Sequence, residues 1–317
     1  MQHILLLSFV SAAMFSLTVM AANPQGLNGA NLTEVISGFN WAENMVFDND
    51  DNFWITDDFG GALYRLRRGD ANRTFWVGGF KNALGLAFNA ASPQCLLMAV
   101  CITSGNCSIL NVSTAVPNVY TILTETQGVP NGLVWDARGA TVVWTTEGDF
   151  VPGEGVIYTY SMGTCSVAVL EKGLNAADGL FLDNATGLLY ASEVVAGNVL
   201  VFNSTRSNLQ PVKKFKAPNM TMLDDFCIVR DISSLYGPGY GAFVGADWWA
   251  GNVVAFGIDT PSGLTPGTVW ATGLTAPTSV RRPPKGSAWD TGNNVFVSEG
   301  KTAGLFGGGR VWELSLP

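Results

Sequence analysis

Few side chains in this sequence could run chemistry, and most of those are oxygen donors. Among 317 residues there is one His, His3, so a Ser-His-Asp triad, a His-ligated zinc ion or a His proton shuttle would all depend on one residue near the N-terminus. What recurs is a short phrase: a small or Pro residue, a polar residue, a small residue, then an apolar strand. It reads Ala42-Glu43-Asn44-Met45, Ala83-Leu84-Gly85-Leu86, Pro130-Asn131-Gly132-Leu133, Ala177-Asp178-Gly179-Leu180, Leu223-Asp224-Asp225-Phe226 and Pro277-Thr278-Ser279-Val280. Its second positions are Glu43, Leu84, Asn131, Asp178, Asp224 and Thr278. If these converge, three carboxylates and a carboxamide meet, and carboxylates brought together without a counter-charge repel. A hard divalent cation removes that repulsion. Ca²⁺ takes oxygen ligands in irregular geometry, whereas zinc favours His or Cys, and neither stands at these positions. The plainer reading is that Asn and Asp before Gly serve turns.

Convergence requires an architecture that repeats. The six second positions are 41, 47, 47, 46 and 54 residues apart, and a period of about 40 to 50 with several short strands per unit is the mark of a β-propeller. The first repeat predicts strands over Met45 to Phe47, Phe53 to Thr56, Ala62 to Leu66 and Thr74 to Val77, with Gly or Asp-Asn turns between them. The fourth repeats the scheme as Leu180 to Leu182, Leu188 to Ala191, Asn198 to Phe202 and Pro211 to Phe215. The chain ends in a third strand, Arg310 to Leu316, while Glu34-Val35-Ile36 precedes the first phrase as a fourth strand should. The expectation is an all-β, six-bladed propeller with four antiparallel strands per blade. Its last blade is closed by an N-terminal strand, which leaves no open edge between first and last blades.

The N-terminus reads as an export signal. Residues 4–20 form an uncharged apolar run followed by small residues, which predicts a signal peptide over 1–21 and a single propeller domain over 22–317. The alternative is a membrane anchor, for which the run is slightly short and lacks a flanking basic cluster. No other stretch is apolar and long enough for a membrane anchor. Seven Asn-x-Ser/Thr sequons, at Asn31, Asn72, Asn106, Asn111, Asn184, Asn203 and Asn219, point to a secreted eukaryotic N-glycoprotein. Of five Cys, Cys101 and Cys107 could pair across a hairpin, and Cys227 is the residue expected to stay free. Net charge is −8 with pI about 4.6, which excludes a non-specific nucleic-acid binder. With 47% hydrophobic residues and 10 Trp, the chain is not a disordered one. A monomer is expected.

A second ring of acids is predicted where the second strands end: Asp57, Glu147, Glu193, Asp247 and Glu299, with Cys101 in that place in the second blade. These either wall a pocket, with Asp149 beside them, or simply cap hairpins. Lys81, Lys216 and Lys301 fall on the same face, and Trp248-Trp249 is a candidate ligand platform.

With these motifs, the mature chain resembles the senescence-marker-protein/gluconolactonase/luciferin-regenerating family of calcium-dependent propellers, which includes the squid-type diisopropylfluorophosphatase. Ala42-Glu43-Asn44-Met45-Val46-Phe47-Asp48 is similar to the family's first ligand motif. Pro130-Asn131-Gly132 is similar to one Asn ligand context, and Asp224-Asp225-Phe226-Cys227-Ile228 to that of its Asp. Asp178 stands at a second Asn position. The resemblance implies a Ca²⁺ held by Glu43, Asn131, Asp178 and Asp224, with Asp224 as general base or nucleophile in hydrolysis of a lactone or related ester. The chain departs from it at Gly132, Val129 and Arg281, where relatives carry Asp, Arg and, in some, His. The alternatives are a non-catalytic secreted propeller whose structural metal supports carbohydrate or protein binding, and a strictosidine-synthase-like propeller.

Overall fold

Alternating turn-rich and apolar segments can bury themselves only by stacking, and the strands form six antiparallel sheets arranged in a ring. The computed structural model describes residues 24–88, 92, 94–203, 211–230, 236, 240–260, 263–300 and 308–316. The expected signal segment, His3 and Lys301 lie outside the described residues. The innermost strands are Ala42–Phe47, Asn82–Phe88, Pro130–Asp136, Ala177–Asp183, Leu223–Val229 and Pro277–Arg281. Each pairs with a second strand, in order Asn52–Asp57, Cys95–Thr103, Thr141–Thr146, Leu188–Glu193, Gly241–Asp247 and Asn294–Glu299. The third strands are Ala62–Arg67, Asn106–Ser113, Pro152–Ser161, Asn198–Phe202, Asn252–Ile258 and Gly309–Ser315. The outer strands of blades 1 to 5 are Thr74–Gly78, Tyr120–Thr126, Ser166–Asn175, Lys213–Lys216 and Thr268–Thr272.

The sixth blade takes its outer strand from the other end of the chain. Asn31–Phe39 pairs antiparallel with Gly309–Ser315, with Leu32 opposite Leu314 and Ile36 opposite Val311. Gln25–Gly26 adds a short fifth strand to blade 5, against Thr268–Thr272. Each innermost strand also touches the innermost strands on either side, and the last touches the first, so the ring is closed.

Each blade is covered on both faces, so its strands read as nearly unbroken apolar runs such as Phe53-Trp54-Ile55 and Val295-Phe296-Val297, all fully buried. The core lies between blades. Trp54, Leu63 and Trp76 of blade 1 pack against Leu86, Met98 and Leu110 of blade 2, and a stack runs across blade 5 from Phe226 through Phe243 to Phe256. Cys101 and Cys107 are disulfide-bonded across the blade-2 hairpin; Cys227 is a buried free thiol, whereas Cys95, half-buried, and Cys165, exposed, are also free.

Candidate metal centre

The repeated phrase is a β-bulge. In every blade the register between first and second strands slips within it: between Ala42 and Met45, Ala83 and Leu86, Pro130 and Leu133, Ala177 and Leu180, Leu223 and Phe226, and Pro277 and Ser279. A bulge re-aims side chains. Here it falls on the second residue of the phrase in each repeat, at one end of the ring.

Hydroxyls tie these bulges to one another. Thr56 Oγ1 donates to the Leu84 carbonyl of the next blade (2.8 Å), Ser192 Oγ to that of Asp224 (2.7 Å) and Ser298 Oγ to that of Glu43 (2.7 Å); Thr145 Oγ1 donates likewise to Asp178 O. Where the second strand has Ala99 or Ala246 instead, no such bond is available. Glycine supports the same close approach: a Cβ at Gly85 would stand 1.9 Å from Asn131 O, and one at Gly132 2.1 Å from Asp178 O.

Glu43, Asn131, Asp178 and Asp224 are all more than nine-tenths buried at this mouth, along with Leu84 and Thr278. Asp178 and Asp224 are close enough to shift each other's titration. Burial pushes the carboxyls of Glu43, Asp178 and Asp224 well above the usual range, and repulsion from neighbouring acids pushes further, first from Asp58 on Glu43, from Glu147 on Asp178 and from Asp178 on Asp224. Trp41 Nε1 donates to Glu43 Oε2 (2.8 Å), and Asn131 Nδ2 donates to Glu147 Oε1 (2.5 Å), which leaves the Asn131 carbonyl oxygen for another partner. Asp224 Oδ1 is buried with no hydrogen-bond partner. A buried carboxylate oxygen without a donor is costly, and a cation would satisfy it. Donor chemistry and the orphaned oxygen therefore fit a hard cation. Among the described residues no three His, Cys, Asp or Glu side chains are already grouped to hold a metal ion.

Two acids of the mouth have distinct origins in the sequence. Glu147 belongs to the predicted second ring, but Asp58 does not, although its neighbour Asp57 does. Both are pushed up to about 7, first by burial, with Asp58 further raised by Glu147 and Glu147 by Asp149. Asp58 also accepts from Asn82 Nδ2 (2.7 Å). The signal that separates them from the rest of the ring is register. Asp57, Glu193, Asp247 and Glu299 pair with the first residue of the phrase, whereas in blade 3 that position is Thr146 and Glu147 lies one residue further on.

The other four acids of that ring are structural. Asp57 accepts from the backbone N–H of Asn40 and Trp41, Asp247 from Thr221 and Met222, Glu193 from Asn175 and Glu299 from Thr275. Each acid thus secures the connection entering its own blade's innermost strand. These four serve backbone, whereas Glu147 accepts from the side chain of Asn131. Of the Trp pair, Trp249 is exposed and Trp248 partly buried, with ring centroids 6.2 Å apart.

Below the mouth the channel is plugged. Asp225 Oδ2 accepts from Asn44 Nδ2 (3.1 Å) and Ser279 Oγ (2.9 Å) and pairs with the Arg281 guanidinium (2.6 Å). Arg281 also donates to the carbonyls of Met45 and Phe226 and to Asn44 Oδ1. Three blades are tied at their centre.

No protein-family profile matches the sequence, and no curated protein matches it. Solved structures do. A luciferin-regenerating enzyme superposes with a TM-score of 0.68 over 91% of this chain and 96% of its own, at 15% identity. The gluconolactonase XC5397 from Xanthomonas campestris gives 0.65 over 95% and 93%, also at 15% identity. The PQQ-bound aldose sugar dehydrogenase from Streptomyces coelicolor gives 0.65 over 92% and 99%, at 10% identity. The chain is thus a six-bladed β-propeller that shares its fold with a luciferin-regenerating enzyme and a gluconolactonase.

Proposed function

We propose that this protein is a secreted, N-glycosylated, Ca²⁺-dependent hydrolase of a lactone or related ester, with the ion held by Glu43, Asn131, Asp178 and Asp224. The observation that carries the reading is the partnerless Asp224 Oδ1 within a mouth where four blades each contribute an oxygen donor. When bound there, Ca²⁺ supplies Lewis-acid stabilisation of the oxyanion that develops on the ester carbonyl oxygen. The residues do the rest. Trp41 fixes Glu43, and Glu147 holds the NH₂ of Asn131 so that its carbonyl oxygen faces the mouth. Asp224 takes a proton from the attacking water or itself attacks the carbonyl carbon. None of these roles needs a His.

A panel of lactones and aryl esters, with calcium or with chelator, tests the reading beside Asp224→Asn. Hydrolysis should need calcium and fall on the order of 100-fold or more in the variant, the usual scale for a lost base or nucleophile. No hydrolysis of any substrate at saturating calcium would sink it. If calcium then still raised the melting temperature, the protein would be a non-catalytic propeller with a structural ion.

A further inference from the structure

The face around the acidic mouth is rimmed by apolar side chains. In the loop between second and third strands, blade 1 exposes Phe59, blade 3 Phe150, blade 4 Val195 and blade 5 Trp249, each 41 to 48% accessible. Single exposed apolar residues are ordinary, but the same loop presents one in four blades of the ring, at the end that carries the mouth, which is where a ligand would meet them. The rim is continuous with the site: Phe59 packs edge-on against Trp41, which donates to Glu43. On blade 3, Val129 is exposed immediately before Pro130-Asn131, beside a cavity of about 210 Å³. That cavity has Val129, Val156 and Tyr158 in its walls, with Thr146, Asp149 and Glu154 among its polar lining.

Phe150 is displayed under strain. Gly148, Asp149 and Phe150 are successive left-handed residues, with φ of 64°, 51° and 59°. A bulky side chain adopts that backbone only where its surroundings impose it, and such positions cluster at functional sites. The mouth itself carries Glu43, Asp58, Glu147, Asp178 and Asp224, while the guanidinium below it is paired with Asp225. An anionic substrate would meet repulsion there, and a polyhydroxylated one would set hydroxyls against apolar loops.

We propose that the substrate is an uncharged ester or lactone bearing an alkyl or aryl group, which lies against the exposed Val129 and Phe150 on the blade-3 side while its carbonyl enters the acidic mouth. This rests on the hydrolase reading and specifies its substrate class. The test is kcat/KM for γ-lactones substituted with methyl to hexyl chains, alongside a sugar lactone, a carboxylate-bearing lactone, and a trimethylammonium ester matched to its tert-butyl isostere. Each methylene is worth up to about fourfold when fully buried, so the wild type should gain at least tenfold across the series. Phe150→Ser and Val129→Ser should remove most of that gain through KM, whereas Val212→Ser, exposed on the outer side of blade 4, should keep it. Thermal melts confirm that each variant is folded.

A flat chain-length series, or preference for the sugar, the carboxylate or the ammonium substrate, overturns the proposal and leaves the hydrolase reading standing. If nothing is hydrolysed, the hydrolase reading fails, and binding of 2-alkylcyclopentanones measured by calorimetry decides the inference: affinity that rises with chain length and falls in both blade-3 variants upholds it, and its absence overturns it. Co-sedimentation with phosphatidylcholine vesicles that is lost in Phe59→Ser and Trp249→Ser, with no chain-length effect, would overturn it in favour of a lipid-docking face.

Discussion

Asp58 and Glu147 show how single residues set the behaviour of this mouth. With no cation bound, their carboxyls titrate near 7, against ordinary values of 3.8 and 4.5. The unfolded chain loses those protons near the ordinary values and the folded chain keeps them to about 7, so stability falls as pH rises through that interval. Asp183 and Glu193 run the other way. Burial raises them, but their partners, chiefly Arg230 and Lys214, outweigh it and lower both. Their contribution is complete above the unfolded values and does not change in this interval. In chelator, the melting temperature should therefore be higher at about pH 5 than at about pH 8, and added calcium should raise it most at the higher pH. Differential scanning calorimetry with and without calcium checks both. A melting temperature that climbs from pH 5 to 8 in chelator would contradict the electrostatic picture of the mouth.

At the scale of strands, the bulge decides function and the plug beneath it holds the strands in place. Without a bulge, a strand alternates strictly, and Glu43 and Asn44 would face opposite sides of the blade. With it, Glu43 faces the mouth while Asn44 reaches Asp225, two blades away around the ring. Arg281 links the innermost strands of blades 1, 5 and 6 through Asp225, Asn44 and two carbonyls. Arg281→Met should cost about 3 to 5 kcal/mol, because it leaves a buried carboxylate unpaired. Adding Asp225→Asn should recover part of that loss by removing the stranded charge. Urea denaturation of the wild type, the single and the double variant measures it, and equal stability of all three would show that the pair does not hold the centre together.

For the whole molecule, closure matters most. A ring of blades has two potential open edges, and pairing Asn31–Phe39 with Gly309–Ser315 joins the two ends of the chain within one sheet. Ile36 packs against the cluster that includes Phe39, Phe296 and Val311, where blades 1 and 6 meet. Ile36→Asp should therefore destabilise by about 2 kcal/mol or more, since it sets a charge against apolar surface. The loss should appear as one lowered transition, because the closing strand is shared by both ends of the chain. A calorimetric trace that splits into two steps, with most blades melting at the wild-type temperature, would show that the ring does not depend on its closing strand.

The repeat is what the sequence settles unaided. Its period, its strands and the place of its oxygen donors are local patterns, and each copy restates the others, so Glu43, Asn131, Asp178 and Asp224 stand out before any coordinates are known. The Cys101–Cys107 hairpin and the closing strand are legible for the same reason. Register is not. Whether an acid at the end of a second strand caps a backbone, as Asp57 and Asp247 do, or turns into the mouth, as Asp58 and Glu147 do, depends on a one-residue offset that only strand pairing reveals. The Arg281–Asp225 plug and the apolar crown are likewise invisible in the sequence. They join residues from separate blades, and only the closed ring brings those residues to one centre and one face.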